Sequence, residues 1–281
     1  MKKWILFTLL ALISVGCQNA KKEQKPLVIK LAVNDIYCKK TACKCVHYIA
    51  AREYEEMQAL LKTNYNIELQ LDYFMDTYAF EDALLSKKYD GAICKPWLAL
   101  KLEKKSKVEY DRIADLLDPS NNQWLTGIVI VQKNSPIKSL KDLTGKTIVI
   151  GDADSYEKQY AAQRLFAKNR ILFKKITQRA SCIENIGKLL DGEVDAAVIS
   201  DYSLEADCAV DFAKPADFHI LAHTEKIPLT SVLIEDDKIS DEAADRLQAA
   251  LLDLSKKGMP KTMLSKGFVK PAKWNPPELE D

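Results

Sequence analysis

The chain has 281 residues, 47% of them hydrophobic and 29% charged, which suffices for one large core or two modest ones and excludes disorder, a collagen repeat or a small disulfide scaffold. Its 41 Lys and Arg against 40 Asp and Glu leave no cationic surplus for a phosphate backbone, so nucleic acid is not an expected partner. The sequence offers three histidines, His47, His219 and His223, for acid–base chemistry or a His-rich metal site, so an enzyme is not expected.

At the N-terminus, Lys2 and Lys3 precede an apolar run from Trp4 to Val15, too short to span a bilayer, and Gly16 precedes Cys17. Residues 1–17 therefore read as a signal peptide that exports the chain. The stretch Ser14-Val15-Gly16-Cys17 resembles the lipobox of bacterial lipoproteins, with Ser14 where such boxes usually carry Leu. That resemblance implies lipidation of Cys17 and a membrane anchor, because each buried CH₂ of an acyl chain contributes roughly 0.8 kcal/mol. Residues 18–26 (QNAKKEQKP) are polar and read as a tether.

Strand-like and helical segments then alternate. Leu27 to Val33 is an apolar strand, and Ala50, Tyr54, Met57 and Leu61 form one stripe of a helix. Ile67 to Phe74 alternates with period two, Tyr78 to Leu85 reads as helix, and Tyr89 to Cys94 as a short buried strand ending in Cys-Lys-Pro. Gly127 to Gln132 opens a second α/β unit: strand Thr147 to Ile150, helices Glu157 to Ala167 and Ile183 to Leu190, and strand Val194 to Ile199. His219 and His223 fall in a strand-like stretch returning to the first unit and read as structural. Thr230 to Ile234 is a strand, and Ala243, Leu247, Leu251 and Leu254 stripe a C-terminal helix. The pattern predicts an α/β clamshell, each lobe a mainly parallel sheet flanked by helices. Lobe one comprises residues 27–123 plus 228–281 and lobe two residues 124–227, with two hinge crossings near 122–130 and 224–230 and a cleft between the lobes.

Three stretches carry a family resemblance. Ser139-Leu140-Lys141-Asp142-Leu143-Thr144-Gly145-Lys146 leads through a strand into Gly151-Asp152-Ala153-Asp154-Ser155, and Lys88-Tyr89-Asp90-Gly91-Ala92 and Leu190-Asp191-Gly192-Glu193-Val194-Asp195-Ala196-Ala197 each place Asp and Ala on a strand. Over about residues 27–260 the chain resembles periplasmic substrate-binding proteins of ABC importers, in their phosphate/phosphite/phosphonate-binding branch. The resemblance implies a monomer that captures a small oxyanionic ligand and delivers it to an ABC permease, facing the periplasm or cell surface. In such folds ligands sit beyond the carboxyl ends of strands, where helix N-termini favour anions. The candidate ligand-binding residues are Tyr37, Trp97, Asp152, Asp154, Ser155, Tyr156, Asp201 and Tyr202. Ser155 can cap a helix or donate to an oxyanion, and Asp201 can cap a helix or accept from a ligand.

One departure bears on the ligand. Phosphonate binders of the family carry small hydroxyl residues and Gly after the Asp-x-x-Ser element, whereas this chain reads Ser155-Tyr156-Glu157-Lys158. A carboxylate about 4 Å from a dianion repels it by roughly 1–4 kcal/mol per charge pair. Either Glu157 faces solvent with Lys158 balancing it, or the ligand is not a simple phosphonate.

Apart from Cys17, six cysteines remain. An even number in an exported chain suggests disulfides, with Cys182–Cys208, Cys45–Cys94 and Cys38–Cys43 as the expected pairs and no cofactor. The alternative is an envelope metal-binding or thiol-redox lipoprotein, holding Zn, Cu or Fe through Cys38, Cys43, Cys45, Cys94 and His47.

Overall fold

A computed structural model describes residues 25–42, 51–153, 155–204 and 213–275. In chain order the first part builds β1 (Leu27–Asn34), α1 (Glu55–Tyr65), β2 (Ile67–Tyr73), α2 (Thr77–Leu85), β3 (Gly91–Cys94), α3 (Pro96–Ser106) and β4 (Tyr110–Leu117). After the short strand β5 (Trp124–Leu125) come β6 (Gly127–Gln132), β7 (Thr147–Ile150), α4 (Ala161–Lys168), β8 (Lys175–Gln178), α5 (Cys182–Leu190), β9 (Ala196–Ser200) and β10 (Phe218–His223). The chain returns through β11 (Ile227–Pro228) to β12 (Ser231–Glu235), α6 (Asp241–Lys257) and β13 (Gly267–Val269).

These strands form a six-stranded sheet ordered β13-β4-β12-β3-β1-β2 and a five-stranded sheet ordered β10-β6-β9-β7-β8. Each is sandwiched between helices, because its strands are apolar on both faces. In β1, Ile29, Leu31 and Val33 pack with α1 and α6, while Ala32 faces the opposite cluster with Phe80, Leu98 and Leu102 of α2 and α3. In the second sheet, Val149 and Ile199 pack on Ile186 and Leu189 of α5, while Ile148, Ile150 and Val198 pack on Ala162 and Phe166 of α4. β5 and β11 pair antiparallel with each other, a two-stranded crossing between the two sheets.

The clamshell carries more antiparallel pairing than the sequence suggested. β1 pairs parallel with β2 and β3, and β7 with β8 and β9, but β6 runs antiparallel to β9 and β12 antiparallel to both β3 and β4. Each strand that leaves the crossing enters its sheet reversed. The stretch holding His219 and His223 does not return to the first lobe: as β10 it edges the second sheet, antiparallel to β6.

The expected disulfides are not formed at the described cysteines, since Cys38, Cys94 and Cys182 are free thiols. Cys38 packs among Tyr54, Met57 and Leu61 on one face of the first sheet, and Cys94 among Phe80, Leu84 and Leu98 on the other. The two thiols thus belong to separate core clusters. Burial pushes both thiols up from their ordinary value. Cys17, Cys43, Cys45, His47 and Cys208 lie outside the described residues.

Candidate functional site

Strand β7 ends at Ile150, and the chain turns through Gly151 into Ser155 before a single π-helical turn, Tyr156–Tyr160, opens α4. The wide turn lets three successive side chains face inward: Tyr156, Glu157 and Lys158 are all buried. Two glycines make room for it. A Cβ on Gly127 would lie 2.2 Å from the Glu157 carbonyl oxygen, and one on Gly151 2.5 Å from the Lys158 Cβ. Gly151 N–H donates to the Lys158 carbonyl at 3.0 Å, and the Thr224 hydroxyl accepts from Gly127 N–H at 2.7 Å while donating to the Glu157 carbonyl at 3.0 Å.

Glu157 therefore does not face solvent. Its side chain is fully buried, the Lys95 Nζ lies 3.3 and 3.5 Å from its two carboxylate oxygens, and the Ser200 hydroxyl donates to it at 2.7 Å. Lys95 follows β3 of the first lobe and precedes Pro96 at the start of α3, so this ion pair crosses between the lobes. Burial pushes the Glu157 carboxyl up, but the Lys95 and Lys158 charges and the Ser200 hydroxyl outweigh it and hold the group down at about 2. The carboxylate is ionised at neutral pH. Lys158 Nζ donates to the Ala180 carbonyl at 2.7 Å. At the N-terminus of α5, burial raises the Cys182 thiol, but the Lys158 charge and the Ser200 N–H at 3.5 Å together leave it below its ordinary value.

Beside this ion pair lies a cavity of about 160 Å³, lined from the first lobe by Asn34, Ile36, Met75 and Lys95 among others and from the second by Ser155, Lys158, Ala180 and Tyr202. Of the two roles open to Ser155, the helix cap is not made: its side chain makes no capping hydrogen bond to the π turn that follows. Ser155, only 3% exposed, lines the cavity, and its buried hydroxyl has no hydrogen-bond partner among the described residues. A buried hydroxyl without a partner costs free energy that a bound acceptor recovers.

The other expected residues divide. Tyr37, Trp97, Tyr156 and Tyr202 join one buried interlobe cluster with Leu125, Ile227 and Leu229 of the crossing. Its ring pairs span the cleft: Trp97 lies 4.9 Å from Tyr156 and 5.0 Å from Tyr160, and Tyr37 lies 6.2 Å from Tyr202. Tyr202 lines the cavity, whereas Tyr156 stacks behind it and meets Trp274 edge-on at 6.2 Å. Asp201 turns to the crossing, accepting from the Thr126 N–H at 3.1 Å, the Thr126 hydroxyl at 3.0 Å and the Tyr202 N–H at 2.9 Å. Burial raises its carboxyl, against those hydrogen bonds. Asp152 is not part of the cavity wall, and Asp154 lies outside the described residues.

Lys95 was missed as a site residue, although its position just past the carboxyl end of a parallel strand was the available signal. A second group, around Asp35 at the end of β1, was missed altogether. Asp35 is fully enclosed, accepting from Arg52 Nη1 at 2.7 Å, the Tyr54 hydroxyl at 2.8 Å and the Thr230 hydroxyl at 3.2 Å. It fixes the loop carrying Tyr37, Thr41 and Ala42, the last two of which line the cavity.

The sequence model of a family described as ABC transporter, phosphonate, periplasmic substrate-binding protein matches residues 49–274. No curated protein matches the chain. Among solved structures, the XAC2383 protein of Xanthomonas citri bound to ATP is similar at a TM-score of 0.65 and 15% identity, over 88% of this chain and 91% of that one. PhnD1 of Prochlorococcus marinus in complex with methylphosphonate is similar at a TM-score of 0.62 and 14% identity, over 88% and 93%. A binding-protein component of a phosphonate ABC transporter from Pseudomonas aeruginosa is similar at a TM-score of 0.60 and 17% identity, over 88% and 82%.

Proposed function

Because the chain belongs to the phosphonate periplasmic substrate-binding protein family of ABC transporters, we propose that it takes a small tetrahedral oxyanion with a short apolar substituent into its interlobe cavity and presents it to a membrane permease. The observation that carries this reading is the unpartnered Ser155 hydroxyl, set in a wall that also holds the Lys95 and Lys158 side chains. A hydroxyl donor and two ammonium groups match the acceptors of an oxyanion, and Ile36, Ala42, Met75 and Leu98 match a short alkyl group.

Residues 27–123 with 228–281, and residues 124–227, act as the two bodies that close on the ligand. Since the wall draws on both, the ligand's contacts favour the closed form. In this reading the chain is exported, anchored through lipidated Cys17, acts as a monomer and works by binding rather than by catalysis, without a cofactor.

The test is a thermal-shift screen of the protein with methylphosphonate, phosphate, phosphite, alkylsulfonates and divalent metals. A true ligand at 100 times its dissociation constant stabilises by about 2.7 kcal/mol. A shift with metals and none with any tetrahedral oxyanion overturns the reading.

A further inference from the structure

We propose that the C-terminal segment braces the hinge between the lobes, with Trp274 as a positioning residue that acts through Tyr156 on the turn carrying Ser155 and favours the closed form. The brace deepens the binding reading above and rests on its two-lobe closure.

After β13 has paired antiparallel with β4, setting Val269 opposite Asp115, the chain runs through Pro271 to Asn275 without regular structure. Its backbone is fixed all the same. Ala272 N–H donates to the Asp115 carboxylate at 3.1 Å, the Arg112 guanidinium donates to the Ala272 carbonyl, and Arg112 also pairs with Asp115 at 3.0 Å. Two side chains of one first-lobe strand thus hold both backbone groups of Ala272. The same carboxylate accepts from Gln123 Nε2 at 3.3 Å, and the Gln123 carbonyl accepts from Leu229 N–H at 2.8 Å, beside the β5–β11 crossing. One buried carboxylate therefore ties the tail to the place where the chain passes between the lobes.

Two residues on, Trp274 reaches beyond the first lobe. It packs on the buried cluster that holds Leu125, Ile227 and Leu229 of the crossing, and its ring meets that of Tyr156 edge-on at 6.2 Å. Tyr156 is fully buried, belongs to the second lobe and directly follows Ser155 of the cavity wall. Trp97 holds the same ring at 4.9 Å, so the first lobe grips Tyr156 both from α3 and from its tail. Rotation of the second lobe about the crossing carries Tyr156 away from a Trp274 that the Asp115 anchor keeps behind. That motion exposes ring surface and loses the edge-on contact, which makes the open form less favourable. The closed population rises, and with it the apparent affinity for a ligand that binds the closed form.

The test combines small-angle scattering of the unliganded protein with calorimetric titration of methylphosphonate. Trp274→Ala is expected to show a larger radius of gyration than the wild type without ligand, to return to the wild-type radius at saturating methylphosphonate, and to bind it about tenfold more weakly. Trp274→Phe keeps a ring for Tyr156 and is expected to stay within about threefold of the wild type. A tail that only adds stability would lower the melting temperature and leave the radii equal, and equal unliganded radii overturn the brace. A Trp274→Phe variant as loose as Trp274→Ala overturns the assignment to the ring contact. Should Trp274→Ala fail to fold, Trp274→Leu keeps apolar packing on the tail without the ring edge, and the same comparison decides. If the wild type binds no tetrahedral oxyanion, the binding reading fails while the unliganded radii still decide the brace.

Discussion

Two of the carboxylates buried against cations, Asp35 and Glu157, do opposite things. Asp35 and Arg52 are both fully enclosed within the first lobe, with a hydroxyl or backbone group on nearly every side. Glu157 is enclosed to the same degree, but its cation comes from the other lobe and its neighbours form the wall of a cavity. The first pair is sealed whatever the lobes do, whereas the second exists only where the lobes meet. Burial of charge alone does not single out the candidate site; the buried pair beside the cavity is the one whose partners come from different lobes.

The largest effect should come from breaking the sealed pair. Arg52→Met strips the buried Asp35 of its cation and removes the guanidinium that donates to the Met263 carbonyl at 2.8 Å. The expected cost is about 3–5 kcal/mol, seen as a drop in melting temperature on the order of 10 °C. An unchanged melting temperature would show that the Tyr54 and Thr230 hydroxyls alone hold Asp35, and would remove the contrast.

The interlobe pair should instead reveal itself in acid. With its folded value held at about 2, Glu157 contributes stability that is fully present above the ordinary carboxylate value and is lost as pH falls through about 2. The span corresponds to about 3 kcal/mol. Other carboxylates, such as Asp72 and Asp195, are also held below their ordinary value. The measurement is therefore the difference in acid-unfolding slope between wild type and Glu157→Gln, and equal slopes would sink the prediction.

The contrast also explains what was legible in the sequence. The strands β1, β3, β6, β7, β9 and β12 announced themselves because burial on both faces demands unbroken apolar runs. β4 did not: it carries Asp111, Arg112 and Asp115, and the buried Asp115 is met by Arg112 three residues back on the same strand and, from elsewhere in the fold, by the Ser231 hydroxyl and the Ala272 N–H. The aromatic residues of the cleft were legible because they flank strand ends, and Ser155 because it follows one. Arg52 reaches Asp35 across seventeen residues with no periodic pattern to betray it. Glu157 looked like an obstacle to anion binding because its neutralising lysine lies 62 positions away, on the other lobe.

Ser155 sharpens the contrast from the ligand's side. Ser155→Ala removes a buried hydroxyl that has no hydrogen-bond partner among the described residues, so its melting temperature should hold or rise slightly. Oxyanion affinity should fall about 10- to 100-fold, as for a lost hydrogen bond to a charged group. Calorimetric titration with methylphosphonate reads the affinity. A variant that binds as tightly as the wild type would move the oxyanion's seat elsewhere.

The smallest effect belongs to a neighbour of the sealed pair. Lys39 and Glu53 each adjoin a residue of the bridge between Cys38 and Arg52, and their side chains meet at 3.0 Å, yet they stay 64% and 42% exposed. In water the attraction is screened, and fixing two long side chains costs entropy. Lys39→Ala should therefore change stability by less than about 1 kcal/mol, measured by urea unfolding, although the pair lies as close as many buried ones. The neighbouring Arg52 should cost several times more for the same loss of one cation. Comparable losses at the two positions would mean that the loop's geometry, and not desolvated charge, holds the end of β1 in place.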